Sequence, residues 1–128
     1  MRPVLAVVAA VIAISFSDWL LFGVLFHDRY DATPELWRPI PEGKKIAGSM
    51  AFAAIGAAAF FVLATHFRVI GIKESLILAV LCWLAASLPQ TVTNTLYLRY
   101  DKMLVASHSL GWLTRLVIAA IAYGVISQ

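Results

Sequence analysis

The sequence predicts an all-α integral membrane protein, with four transmembrane helices in an up-down bundle. Three observations carry that prediction. The chain is 62% hydrophobic and only 13% charged over 128 residues, whereas a soluble domain is about half apolar and about a quarter charged. Apolar runs of roughly 20 residues, the length that crosses a bilayer, recur four times. The connections between the later runs are short, which forces neighbouring helices to be antiparallel. At this length residues 1–128 form a single domain.

The first span is residues 3–26. Met1-Arg2, an apolar stretch and Ala13-Ile14-Ser15 have the outline of a signal peptide with a small-residue cleavage site. The apolar run continues to Phe26, however, so it reads as a span. Inside it lies Phe16-Ser17-Asp18-Trp19-Leu20. A carboxylate at that depth is costly in lipid unless it has a partner.

A longer loop, residues 27–44, follows. Thr33-Pro34-Glu35 is a helix start, with a capping hydroxyl, proline in the first turn and an acid at the positive end of the dipole. Arg38-Pro39 ends it, which predicts one helical turn with Trp37 at the headgroup level. His27, Asp28 and Asp31 cluster beside the span. No further ligand is spaced to complete a metal site, so they read as a solvated polar rim and no metal is expected.

The second span is residues 45–67. Ser49, Ala53 and Ala57 fall four apart, with Gly56 beside them. Small residues at this spacing let helices approach closely, within the bundle or between subunits. The third span is residues 75–98. Cys82 is the only cysteine, so no intrachain disulfide is possible. Pro89 removes one backbone hydrogen bond and predicts a kink that frees the carbonyl of Ala85. Gln90 and Asn94 follow it. The fourth span, residues 104–126, carries His108 and Arg115.

Lys and Arg counts set the orientation. The first and third loops hold Arg29, Arg38, Lys44, Lys45, Arg99 and Lys102, while the opposite face holds Arg2, Arg68 and Lys73. Six against three places the first and third loops in the cytoplasm, although Arg2 pulls the other way. The net charge of +3 is spread over loops and forms no stripe. That distribution suits headgroups and not nucleic acid.

Depth joins the polar residues. At about 1.5 Å per residue from the first-loop face, Asp18 and Gln90 lie about 12 Å deep, His108 and Asn94 about 6 Å, and Arg115 about 16 Å. All five share one half of the membrane. Asp18 and Arg115 differ by about one helical turn, which an arginine side chain covers. An Asp18–Arg115 ion pair is therefore expected, with Ser17 and Gln90 completing its hydrogen bonds.

Two function classes fit this layer. One is a small transport or ligand-binding protein that uses a polar pocket from Asp18, Gln90, Asn94, His108 and Arg115, with His108 at the mouth. The other is a non-catalytic structural or accessory subunit whose ion pair only fixes helix packing. Catalysis is not expected. Ser107-His108-Ser109 is triad-like in composition only, because neighbours on one helix point to different faces. No cofactor signature is present. The expected partners are the lipid bilayer and a homo-oligomer, formed through the small-residue face, or a larger membrane complex.

Trp19 with Phe22-Gly23-Val24-Leu25-Phe26, the downstream Trp37, Leu81-Cys82-Trp83-Leu84 running into Pro89 and Asn94, and a histidine early in the last span form a set. Together they resemble the small four-span bacterial membrane proteins of domain-of-unknown-function family seventeen-sixty-one, over nearly the whole chain. Members typically carry Trp-Tyr before the apolar pair, where this chain has Asp18-Trp19-Leu20. The resemblance implies a four-helix bacterial inner-membrane protein and supplies no activity.

Overall fold

A computed structural model describes residues 2–32, 34, 39–97 and 101–128. The described residues form helices and no strand. Helix α1 is Arg2–Leu25, with its last part, Trp19–Leu25, wound as π-helix. A short α2, His27–Asp31, follows. Then come α3, Glu42–His66, and α4, Gly71–Tyr97, which contains a π-helical turn at Trp83–Ser87. The last helix is α5, Lys102–Ile126. The four long helices match the four expected spans to within a turn, and each is long and apolar enough to cross a membrane. The helical turn expected around Thr33-Pro34-Glu35 and Trp37 lies outside the described residues.

Helix ends follow local chemistry. Asp101 caps α5, its carboxylate accepting from the N–H groups of Met103 at 2.8 Å and Leu104 at 3.2 Å. Those are two of the donors that a helix start leaves without an intrahelical partner. The end of α3 closes differently. Val69 N–H reaches the Ala64 carbonyl at 2.9 Å and Arg68 N–H reaches Thr65 at 3.0 Å, with Arg68 at φ 53°. This is the left-handed closure that glycine usually provides; here a side chain bears its strain.

The core lies where α1, α3 and α5 meet. Ile14, Ala53, Ala57, Ala64, Ala119 and Ala120 are all buried there. The alanines bring backbones close, as small residues do between apolar helices. Phe61 stands edge-on to Tyr123 with ring centroids 5.3 Å apart, and the Tyr123 hydroxyl donates to the Val69 carbonyl at 3.2 Å. Helix α5 is the hub: it packs against α1, α3 and α4. Helix α4 packs mainly on α5, with a minor contact to α3. Near the C-terminus of α5, a Cβ on Gly124 would stand 2.5 Å from Ile72 Cα. Only glycine lets the start of α4 approach this closely.

The outer surface is apolar. Phe16, Trp19, Phe52, Val62 and Leu96 are all more than half exposed. Patches of that extent suit lipid, or a partner, and not water.

Pro89 is accommodated by the π-helical turn just before it. Leu88 N–H bonds to the Trp83 carbonyl, five residues back. The ladder widens where proline can neither donate to Ala85 nor tolerate a normal turn beneath its ring. Helix α4 then continues to Tyr97.

Candidate functional site

Asp18 stands at the last α-helical position of α1, and Arg115 points at it from the middle of α5. Arg115 Nε donates to Asp18 Oδ1 at 3.0 Å and to Oδ2 at 3.1 Å, and Nη2 donates to Oδ2 at 2.7 Å. This is the fork-on-carboxylate geometry that makes arginine pairs both strong and directional. The two side chains are 15% and 16% exposed, so the pair is mostly shielded. Nη2 also donates to the Ser49 hydroxyl at 3.2 Å. The guanidinium carbon lies 5.1 Å from the Trp112 ring centre, within cation–π range. One arginine thus ties α1, α3 and α5 together.

The small-residue stripe of α3 serves this centre. Ala53 and Ala57 are 3% and 2% exposed. With Gly56, Ile14, Trp112 and Arg115 they line a cleft of about 10 Å³ beside the pair. That is room for about one water molecule. The stripe is therefore a packing surface within the bundle. Ala53 and Ala57 are covered within the bundle, whereas Ser49 at the end of the stripe stays exposed.

A second polar group sits nearer the first-loop end. Tyr30, on α2, has its hydroxyl 3.0 Å from Ser107 Oγ and 3.3 Å from His108 Nε2. The fully buried Ser107 also donates to the Leu104 carbonyl at 2.7 Å. Phe22 stacks at 5.5 Å from the His108 ring and 5.9 Å from Tyr30, in space that Gly111 leaves open. A Cβ at Gly111 would stand 2.7 Å from the Phe22 ring tip. Burial raises the Tyr30 phenol above its ordinary value, against the smaller opposing pull of its hydrogen bond to Ser107. His108 therefore belongs to a rim cluster with Tyr30 and does not bond to the ion pair.

Gln90 and Asn94 do not join either group. Both are exposed, and neither makes a hydrogen bond among the described residues. This corrects the expected five-residue layer. The physical reason is that α4 lies along α5 on a side away from α1, so its polar flank has no path to Asp18. Ser17 makes no bond to the pair; Ser49 takes the completing role expected of Ser17 and Gln90. Helix α4 is tied to α5 by Trp83 instead, whose indole N–H donates to the Ser109 carbonyl at 3.0 Å. The Ser109 hydroxyl is buried without a partner among the described residues.

Sequence reasoning missed Tyr30 and the bonding role of Ser49. Tyr30 carries a weak signal, as an aromatic one turn past a span end and level with Ser107. Ser49 looked like a mere small residue. At the rim, His27 Nε2 lies 3.2 Å from Asp31 Oδ2. Among the described residues no three His, Cys, Asp or Glu side chains gather to hold a metal.

Residues 5–124 match the family described as Protein of unknown function (DUF1761). No curated protein and no solved structure matches the chain significantly. The matched residues include Asp18, Tyr30, Ser49, His108 and Arg115, so the whole ion-paired centre lies within the family's extent. With nearly its full length matched, the chain belongs to this family of unknown function.

Proposed function

We propose that this is a multi-pass protein of the bacterial inner membrane, a non-catalytic structural or accessory subunit whose Asp18–Arg115 pair fixes helix packing. The first and third loops face the cytoplasm in this reading, following the excess of Lys and Arg there. One observation carries the role. Both Asp18 oxygens are engaged by Arg115, which also reaches Ser49, and the adjoining cleft admits about one water. A pair closed on itself in this way has little left to offer a solute. Charge exchange tests the reading. Asp18→Asn should destabilise the detergent-solubilised protein, and Asp18→Arg combined with Arg115→Asp should recover most of the loss. Exchange without recovery would sink the packing role.

A second reading, binding or passage of a small ion or molecule through the polar layer, is favoured by the cleft itself, which places Arg115 against an unfilled space. Thermal stabilisation by chloride, formate or phosphate that disappears in Arg115→Lys would favour it. A flat response across that panel favours the structural subunit.

A further inference from the structure

Helix α4 changes character at Pro89. Before it, Ser75 and Ala79 are buried. After it, no residue of Leu88–Tyr97 is buried, yet this stretch is the most polar part of any of the four long helices. Thr91 and Thr95 are half-buried, and their hydroxyls bond back to the carbonyls of Ser87 and Val92. That settles those two side chains within their own helix. Gln90, Asn94 and Tyr97 are spaced four and three apart, hence on one stripe, and all are exposed. Val92 and Leu96 occupy the opposite flank.

The stripe is expensive where it stands. This step rests on the reading that the chain is embedded in a bilayer. A helix of this length spans about 40 Å, about 10 Å more than the hydrocarbon core. With α4 centred, Gln90 lies about 9 Å from the midplane and Asn94 about 15 Å. Gln90 is then inside hydrocarbon and Asn94 at its edge. A carboxamide left facing lipid has two donors and an acceptor without partners. Among the described residues no side chain or backbone group bonds to either carboxamide.

We propose that the Gln90–Asn94 stripe of α4 is a homodimer interface, in which each copy's carboxamides pair with those of the other. Two physical facts select a second copy over another helix. Copies of one chain insert in the same orientation, so rotation about the membrane normal sets Gln90 opposite Gln90 at equal depth without adjustment. A carboxamide is also donor and acceptor at once, so the stripe complements itself. A different partner would need its own hydrogen-bonding groups at both depths. Ala53 and Ala57, the centre of the competing small-residue face of α3, are already buried inside the bundle.

The test uses the full chain with Cys82→Ser, which removes the only cysteine, and single cysteines placed in turn at positions 89 to 96. Oxidation in native membranes, and again in liposomes of purified protein, should give disulfide-linked dimers peaking at Gln90→Cys and Asn94→Cys, with troughs at Val92→Cys and Leu96→Cys. In liposomes, Gln90→Leu with Asn94→Leu should weaken dimerisation about tenfold, the size that a few interhelical hydrogen bonds represent in lipid. A flat profile, a peak on the Val92–Leu96 flank, or dimers in native membranes that vanish on purification would each overturn the interface. Alkaline carbonate washing separates the two layers of the argument. Release of the chain from membranes overturns the embedding reading as well, whereas a retained chain with no peak overturns the interface alone.

Discussion

Helices α5 and α4 are both long, apolar and comparable in span, yet they stand in opposite conditions. Of the most apolar stretch of α5, 33% is buried inside the chain; for α4 the figure is 6%. The difference lies in partners. Helix α5 touches the three other long helices and the short α2, carries Arg115, and has Gly111 and Gly124 where neighbours press closest. Helix α4 leans on α5 along one side and leaves an amide stripe on another. Among the described residues, the Asp18–Arg115 charges are shielded where three helices converge to satisfy them. The carboxamides of Gln90 and Asn94 are left at the periphery, exposed.

Removing the charge from the hub should break the contrast most. Arg115→Ala leaves Asp18 shielded without a counter-ion and should cost about 3–5 kcal/mol, read as unfolding in denaturant-titrated detergent by circular dichroism. A loss under about 1 kcal/mol would mean that the pair is exposed enough to be hydrated. Next is the closest helix approach. Gly124→Ala sets a methyl against the Ile72 backbone, which cannot give way as a side chain can, and should cost about 1–3 kcal/mol. Double-cysteine distances between α4 and α5 should lengthen with it.

At the rim, Tyr30→Phe removes the hydroxyl shared by Ser107 and His108 and should cost about 1 kcal/mol. The same phenol has a pH signature. Its folded pKa is raised, so stability is unchanged while the unfolded phenol is also neutral, and it falls as pH rises past the unfolded value of about 10. Tyr30→Phe should flatten that alkaline slope. In the α3–α4 turn, Arg68→Gly relieves a left-handed backbone and should stabilise by about 1 kcal/mol.

The smallest effect belongs to α4. Gln90→Leu with Asn94→Leu should shift the stability of the detergent-dispersed monomer by no more than about 0.5 kcal/mol, because neither side chain bonds to any of the described residues. A large loss there would erase the contrast between the two helices.

Much of this was legible beforehand, and the residues show why. Asp18 and Arg115 could be paired from their positions along the helices alone, because helical rise fixes those positions and two opposite charges within apolar runs have few alternatives. The four spans came from length and hydropathy for the same reason. Depth carries no information about azimuth, however. Gln90 shares a depth with Asp18 and yet lies on the far side of the hub. Tyr30 was overlooked because its meeting with Ser107 and His108 depends on how α2 folds back over the start of α5.

By itself, then, the sequence determined the number of long helices, their ends to within about four residues and the position of each polar side chain along its helix. These are one-dimensional quantities, set by hydrophobic run length and rise per residue. Tertiary structure alone decided that α5 is the hub, that Ser49 and not Gln90 completes the ion pair, and that α4 keeps an open polar flank. Those outcomes depend on rotation about each helix axis and on which helices touch. Both are settled by the close packing of residues such as Ala53, Ala57, Gly111 and Gly124, whose small size has meaning only once a neighbour is in place.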